Sequence, residues 1–220
     1  MPFDVARCNL YLCTPDRPDL EYFVSECIAG GVDIVQLREK NLDARALVGR
    51  ATILQRVCTD RGVPFILNDR PDLALEVDAD GVHVGQDDAS VSLARRILGD
   101  EKIIGLSTHS AAEFGAGLHE SVTYLSAGPI VATPTKPGRE GTGLEFISRA
   151  RDILGTPRSN ADSVPFFVTG GITPAAIPGI AAAGGSRFVA VRRLAGPPGE
   201  SNQTPLILIG REVVPPEEFR

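Results

Sequence analysis

Basic, acidic and hydroxyl side chains recur in this sequence just behind short apolar runs. Gln36, Arg38 and Lys40 lie at the end of a run at 33–39. Asn68 and Asp69 close 64–69. His83, Gln86, Asp87 and Asp88 lie in and after 81–86. Ser107 and His109 follow 102–107, Gly170 and Gly171 follow 164–169, and Val191, Arg192 and Arg193 end a run that starts at 187. The densest group is Thr133-Pro134-Thr135-Lys136-Pro137-Gly138. Lys136 offers a point charge, Thr133 and Thr135 and the exposed N–H groups offer hydrogen bonds, and the prolines limit the entropy lost on binding. That is a loop suited to phosphate. Carboxylates at two strand ends, Asp69 with Asp88 or Asp87, add a second chemistry. Together with phosphate oxygens and water they would complete the octahedral oxygen shell of a magnesium ion.

These residues need a scaffold that brings strand ends together, and the spacing predicts one. A short apolar run followed by a helical stretch returns eight times, beginning with a strand at 10–14 and a helix near 20–29. A helix over 43–61 carries Ala46, Leu47, Ala51, Leu54 and Val57 at helical spacing, with Gly62 as its stop. Pro71 opens a short helix, and Ser90 is placed to cap the helix that carries Val91, Ala94, Ile97 and Leu98. Strands that are apolar nearly throughout and alternate with helices predict a parallel sheet covered by helices. Eight such units predict an α/β fold, a closed (β/α)8 barrel, with a doubly wound open sheet as the alternative. In the barrel every residue in the first paragraph falls on one rim, where such folds build active sites. The expected organisation is a single barrel domain over 1–194 and an atypical tail over 195–220. The tail shows no amphipathic stripe for a final helix.

Composition narrows the partners. Lys and Arg total 22 against 28 Asp and Glu, a net charge of −6, which argues against a nucleic-acid binder but not against small anions held by a few local cations. The longest uncharged run, 164–186, is broken by glycines and prolines and makes a poor membrane span. Cys8, Cys13, Cys27 and Cys58 form no C-x-x-C pair and read as reduced, mostly buried thiols of a cytoplasmic protein. The first residues lack the basic region and apolar core of a signal peptide.

Taken singly, each feature has an ordinary structural explanation. Arg38 and Lys40 could sit on a solvated face, Asp69 could cap the helix at Pro71, and Asp87-Asp88 could be a turn. His83, in an apolar strand, reads more naturally as a satisfied core histidine than as a catalytic base. Those explanations would have to hold independently at six strand ends, so a shared site is preferred.

With these pieces in order, the chain resembles the thiamine-phosphate synthase family. The matching stretches are Gln36-Leu37-Arg38-Glu39-Lys40, Asn68-Asp69-Arg70, His83-Val84-Gly85-Gln86-Asp87-Asp88, Gly105-Leu106-Ser107, Thr133-Pro134-Thr135-Lys136-Pro137-Gly138 and Thr169-Gly170-Gly171-Ile172. The resemblance implies a (β/α)8 barrel and a transferase. It would join aminomethyl-hydroxymethylpyrimidine diphosphate to hydroxyethylthiazole phosphate with Mg2+, giving thiamine phosphate and diphosphate. It also implies roles. Asp69 and Asp88 look like metal ligands; Arg38, Lys40, Asn68, Ser107 and Lys136 look like diphosphate contacts, with Arg38, Lys40 and Lys136 catalytic. Thr133, Thr135, Gly171, Val191 and Arg192 look like the thiazole-phosphate side, and Gln36 and His83 like the pyrimidine side.

The chemistry agrees with those roles. Diphosphate leaving a benzyl-like carbon develops negative charge that cations stabilise as it forms. The electron-rich aminopyrimidine delocalises the positive charge left behind, so a dissociative path is expected. The thiazole nitrogen attacks with a lone pair and no proton to lose, so no general base is needed. Two departures stand out: Arg192 where the family often has serine, and the missing final helix, which puts barrel closure or an oligomer interface in question. Partners are expected to be the two small substrates, with no nucleic acid and no membrane; the chain could form a homo-oligomer. Competing readings are a thiazole tautomerase of the same superfamily, with His109 as acid/base, and a non-catalytic binder of thiamine precursors.

Overall fold

The structure is a computed structural model that describes residues 3–132, 140–155 and 164–190, together with 208–209 and 212–213. Eight parallel strands close on themselves: β1 (Leu10–Thr14), β2 (Ile34–Leu37), β3 (Phe65–Asn68), β4 (Gly81–Val84), β5 (Ile103–Thr108), β6 (Tyr124–Ala127), β7 (Phe166–Val168) and β8 (Phe188–Ala190). Helices fill the crossovers: α1 (Leu20–Ala29), α2 (Ala44–Arg61), α3 (Pro71–Glu76), α4 (Val91–Leu98), α5 (Ala111–Gly117), α6 (Gly143–Leu154) and α7 (Ile177–Ala182). The (β/α)8 expectation holds, and the open-sheet alternative falls because β8 pairs with β1, Tyr11 opposite Val189 and Leu12 opposite Ala190. Closure therefore needs no eighth helix, and none follows β8 among the described residues. The boundary at 194 lies outside them. Further on, β9 (Leu208–Ile209) pairs antiparallel with β10 (Glu212–Val213).

Local chemistry sets the element ends. Asp43 accepts from Ala46 N at 2.8 Å and starts α2, and Gly62, in the left-handed region, ends it. Ser90 caps α4 by accepting from Leu93 N. Asp69 does not cap α3; the residue at that position is Arg70, with no side-chain bond, so the capping explanation for Asp69 is corrected.

Side chains alternate along every strand, so the barrel has two cores. Outward residues such as Val35, Leu37, Phe65, Leu67, Val82 and Leu125 pack under the helices with Val24, Leu54, Phe114 and Ile147. Inward residues Tyr11, Ile34, Ile66, Ile103, Tyr124, Phe167 and Val189 fill the lumen, which Val5 and Cys8, from the 3-10 turn ahead of β1 and the residue after it, join. Each large side chain so buried is worth about 1.5–3 kcal/mol. The alternation also fixes the site. The inward position near the carboxyl end of a strand is Gln36 in β2, Asn68 in β3, His83 in β4, Ser107 in β5 and Ser126 in β6. All five are buried polar residues above an apolar lumen. No helix among the described residues is long and apolar enough to cross a membrane.

Candidate active site

A cavity of about 590 Å³ opens at the carboxyl end of the barrel. Its wall includes Gln36, Arg38, Lys40, Asn68, Asp69, His83, Asp88, Ser107 and Gly171, all named from the sequence. Thr133, Thr135, Lys136, Val191 and Arg192 lie outside the described residues. Asp88 lines the cavity, and Asp87 is not among its lining residues.

The charged groups form one connected set. Lys40 Nζ stands 2.8 Å from Asp69 Oδ2, and the Asp69 carboxyl is also within hydrogen-bonding reach of Asp88. Burial holds the Asp69 carboxyl above its usual range; Lys40 opposes this and the neighbouring Asp88 adds to it. Asp69 carries a positive φ of 63°, a conformation that costs a non-glycine residue of order 1–3 kcal/mol and is concentrated at functional sites. Its N–H is anchored on the His83 carbonyl at 2.8 Å. Asp88 is aimed by Gly85, whose N–H donates to Asp88 Oδ2 at 2.8 Å; a Cβ at residue 85 would press on that oxygen. Two adjacent carboxylates with a neutralising lysine fit a hard divalent cation that takes its remaining oxygens from substrate and water. No group of three or more His, Cys, Asp or Glu able to hold a metal occurs among the described residues.

Arg38 differs from Lys40. Its backbone N–H is bound to the Thr14 carbonyl at 2.8 Å, but its half-buried guanidinium makes no hydrogen bond or ion pair with a described residue. A planar five-donor cation at a cavity wall is a receptor for an oxyanion. Across the cavity, Gly170 and Gly171 turn with φ of 81° and 74° against the segment after β6; a Cβ on Gly171 would collide with Val131.

The floor of the cavity holds residues that the motifs did not single out. Tyr11 and Tyr124 share a hydroxyl–hydroxyl hydrogen bond of 2.8 Å at the centre of the lumen. Gln36 Nε2 donates to Tyr11 at 2.9 Å, and Cys13 Sγ donates to Gln36 Oε1 at 3.0 Å. His83 contacts Tyr124 through Nδ1 and Ser107 through Nε2, each at 2.9 Å. His83 is thus a satisfied core histidine and a cavity residue at once. Period-two alternation around Leu10–Thr14 and Tyr124–Ala127 places both tyrosines inward, a signal available once the barrel is assumed. His109 also lines the cavity, its Nδ1 donating to the Gly128 carbonyl at 2.5 Å.

Comparison with known proteins agrees with this geometry. A protein-family model described as thiamine monophosphate synthase matches residues 10–194. A thiamine-phosphate synthase of Thermobifida fusca is 44% identical over 195 residues, covering 86% of each chain. One from a Mycobacterium species, strain JLS, is 41% identical over 202 residues with the same coverage. A solved thiamine phosphate pyrophosphorylase from Pyrococcus furiosus superposes with a TM-score of 0.73 at 27% identity, covering 86% of this chain and 88% of that one.

Proposed function

The chain belongs to the thiamine monophosphate synthase family, and we propose that its cavity holds a pyrimidine diphosphate and a thiazole phosphate in line for transfer. It is an enzyme, a transferase that makes thiamine phosphate. One observation supports the cavity assignment above the others: Arg38, half-buried and without an acceptor among the described residues, lines the same space as Lys40, Asn68, Ser107 and the Asp69–Asp88 pair.

In this reading the pyrimidine methylene C–O bond breaks and the electron pair leaves with diphosphate. The thiazole nitrogen lone pair then forms the new C–N bond, with no proton to remove. Arg38 binds the departing oxyanion, and Lys40 holds the rim carboxylate beside it. Ser107 and Asn68 give neutral hydrogen bonds to the same group. Gln36, at the lumen floor, orients the pyrimidine, and the glycine turn at Gly170-Gly171 receives the thiazole phosphate. Magnesium would be held by Asp69 and Asp88 and would supply positive charge to the diphosphate oxygens. The apolar lumen beneath, with Phe167, Ile66 and Val189, leaves little room for competing water. Buried, unbridged cysteines suit a reducing cytoplasm.

The test is thiamine phosphate formation with coupled diphosphate release, run with both substrates, with each alone, and with Mg2+ or a chelator. Product requiring both substrates and the metal is expected. No product under any condition overturns the reading, and full activity in chelator overturns the role given to Asp69 and Asp88.

A further inference from the structure

The floor of the cavity is a continuous run of hydrogen bonds, Cys13–Gln36–Tyr11–Tyr124–His83–Ser107, spanning strands β1, β2, β4, β5 and β6. Its direction follows from counting protons. Gln36 Nε2 is a donor, so the Tyr11 oxygen accepts there. The Tyr11 proton then goes to the Tyr124 oxygen, 2.8 Å away. Tyr124, already accepting, must give its own proton to His83 Nδ1. Nδ1 is therefore bare, and the imidazole proton sits on Nε2, where it donates to Ser107 Oγ. The Ser107 hydroxyl accepts from His83 and keeps its own proton for the cavity. Both phenols are fully buried, and burial raises each well above the usual tyrosine range, so the proton count does not change.

We infer that His83, Tyr124 and Tyr11 are positioning residues that lock Ser107 as a hydrogen-bond donor toward an anionic ligand. The opposite direction is chemically complete too. With the Gln36 amide turned over, every hydroxyl would reverse, His83 would carry its proton on Nδ1, and Ser107 would give its proton to Nε2. Ser107 would then show the cavity only lone pairs, which repel a phosphate. The Gln36 orientation in the structure, with Oε1 on the Cys13 thiol and Nε2 on Tyr11, gives the productive direction. Space for the crossing is built in: a Cβ at Gly105 would fall on the Tyr124 phenol and on His83 Nδ1. The ligand class rests on the function proposed above; the hydrogen-bond direction does not.

The experiment is 15N spectroscopy of histidine-labelled protein, with His83 assigned by comparison with a His83→Asn variant. A pyridine-type signal for Nδ1 and a pyrrole-type signal for Nε2 are expected in the wild-type chain. Tyr124→Phe removes the donor to Nδ1 and is expected to move those signals toward a mixture of tautomers. In kinetics, Tyr124→Phe is expected to lower kcat by roughly 10-fold with KM little changed, because the donor acts on charge formed in the transition state. The same change in a Ser107→Ala background is expected to cost almost nothing more. An Nδ1–H tautomer in the wild type, unmoved signals in Tyr124→Phe, or a full Tyr124→Phe effect without Ser107 each overturn the inference. The spectra need no turnover, so a failed assay and a failed inference remain distinct.

Discussion

Lys40 and Asp69, from the loops after adjacent strands β2 and β3, meet at 2.8 Å, with the lysine side chain half exposed and the carboxylate mostly covered. Such a pair adds little to stability in solvent, about 0–1 kcal/mol. Its value is in position, because Asp88 approaches the same carboxylate. Lys40→Ala should leave the melting temperature nearly unchanged while kcat/KM falls roughly 100-fold, the scale of removing one preorganised charge beside a developing anion. Asp69→Asn, which keeps the shape and removes the charge, should abolish the magnesium response of the rate. A titration of rate against Mg2+ in each variant checks both.

Arg38 makes a second prediction. Its guanidinium meets no acceptor among the described residues, so removing it breaks no contact with them. Arg38→Ala should fold normally and lose diphosphate binding, measured by calorimetry with inorganic diphosphate and Mg2+. Arg38→Lys should recover only a minor part, since an ammonium cannot form the paired N–H bonds of the planar fork. Equal affinity in Arg38→Lys and the parent chain would rule out bidentate binding.

The barrel could be read from the sequence because each strand sits behind a helix whose ends are marked, as by Asp43 and Gly62 on α2 or Ser90 on α4. The rim residues were legible for the same reason: a strand end is a position that chain order alone can name. The lumen was harder. Tyr11 and Tyr124 look like ordinary strand aromatics until β1 and β6 face one another across a closed sheet, a relation between residues 113 positions apart. Closure of the sheet was equally hidden, because it depends on the pairing of β8 with β1, which chain order alone does not give. For Asp69 the sequence allows a metal ligand or a helix cap; only the structure, with Arg70 at the cap position and Lys40 against the Asp69 carboxylate, removes the cap.

Cys58, on the buried face of α2, gives a pH prediction. Burial pushes its thiol up to about 12 from an ordinary 9.0, with Asp80 adding to the shift. The folded state therefore holds the proton more tightly than the unfolded chain. The stabilisation is complete below pH 9.0 and is lost as pH rises toward about 12. Denaturant melts across that window should show stability falling, with a slope from this one thiol approaching about 1.4 kcal/mol per pH unit. Cys58→Ala should be less stable at neutral pH yet show a shallower alkaline slope. An unchanged slope would mean that the thiol is not protected.

Two glycines should answer the same substitution with opposite signs. Gly105, in β5, lies under the Tyr124 phenol, and a methyl there would meet Cζ, the hydroxyl and His83 Nδ1 together. All three belong to packed rings in the lumen, so none can give way cheaply. Gly105→Ala should therefore cost about 1–3 kcal/mol of stability by overpacking. It should also weaken catalysis, because the Tyr124–His83 contact cannot survive the shift. Gly49, on the exposed face of α2, has nothing within 4 Å of its added Cβ. Gly49→Ala removes only the backbone freedom that glycine gives the unfolded chain, and should stabilise by roughly 0.5–1 kcal/mol. At about 2–4 °C per kcal/mol for a chain of this size, thermal melts should resolve both changes. Thiamine phosphate formation should be normal in Gly49→Ala and impaired in Gly105→Ala even well below its melting point. That split separates a damaged cavity floor from mere loss of folded protein.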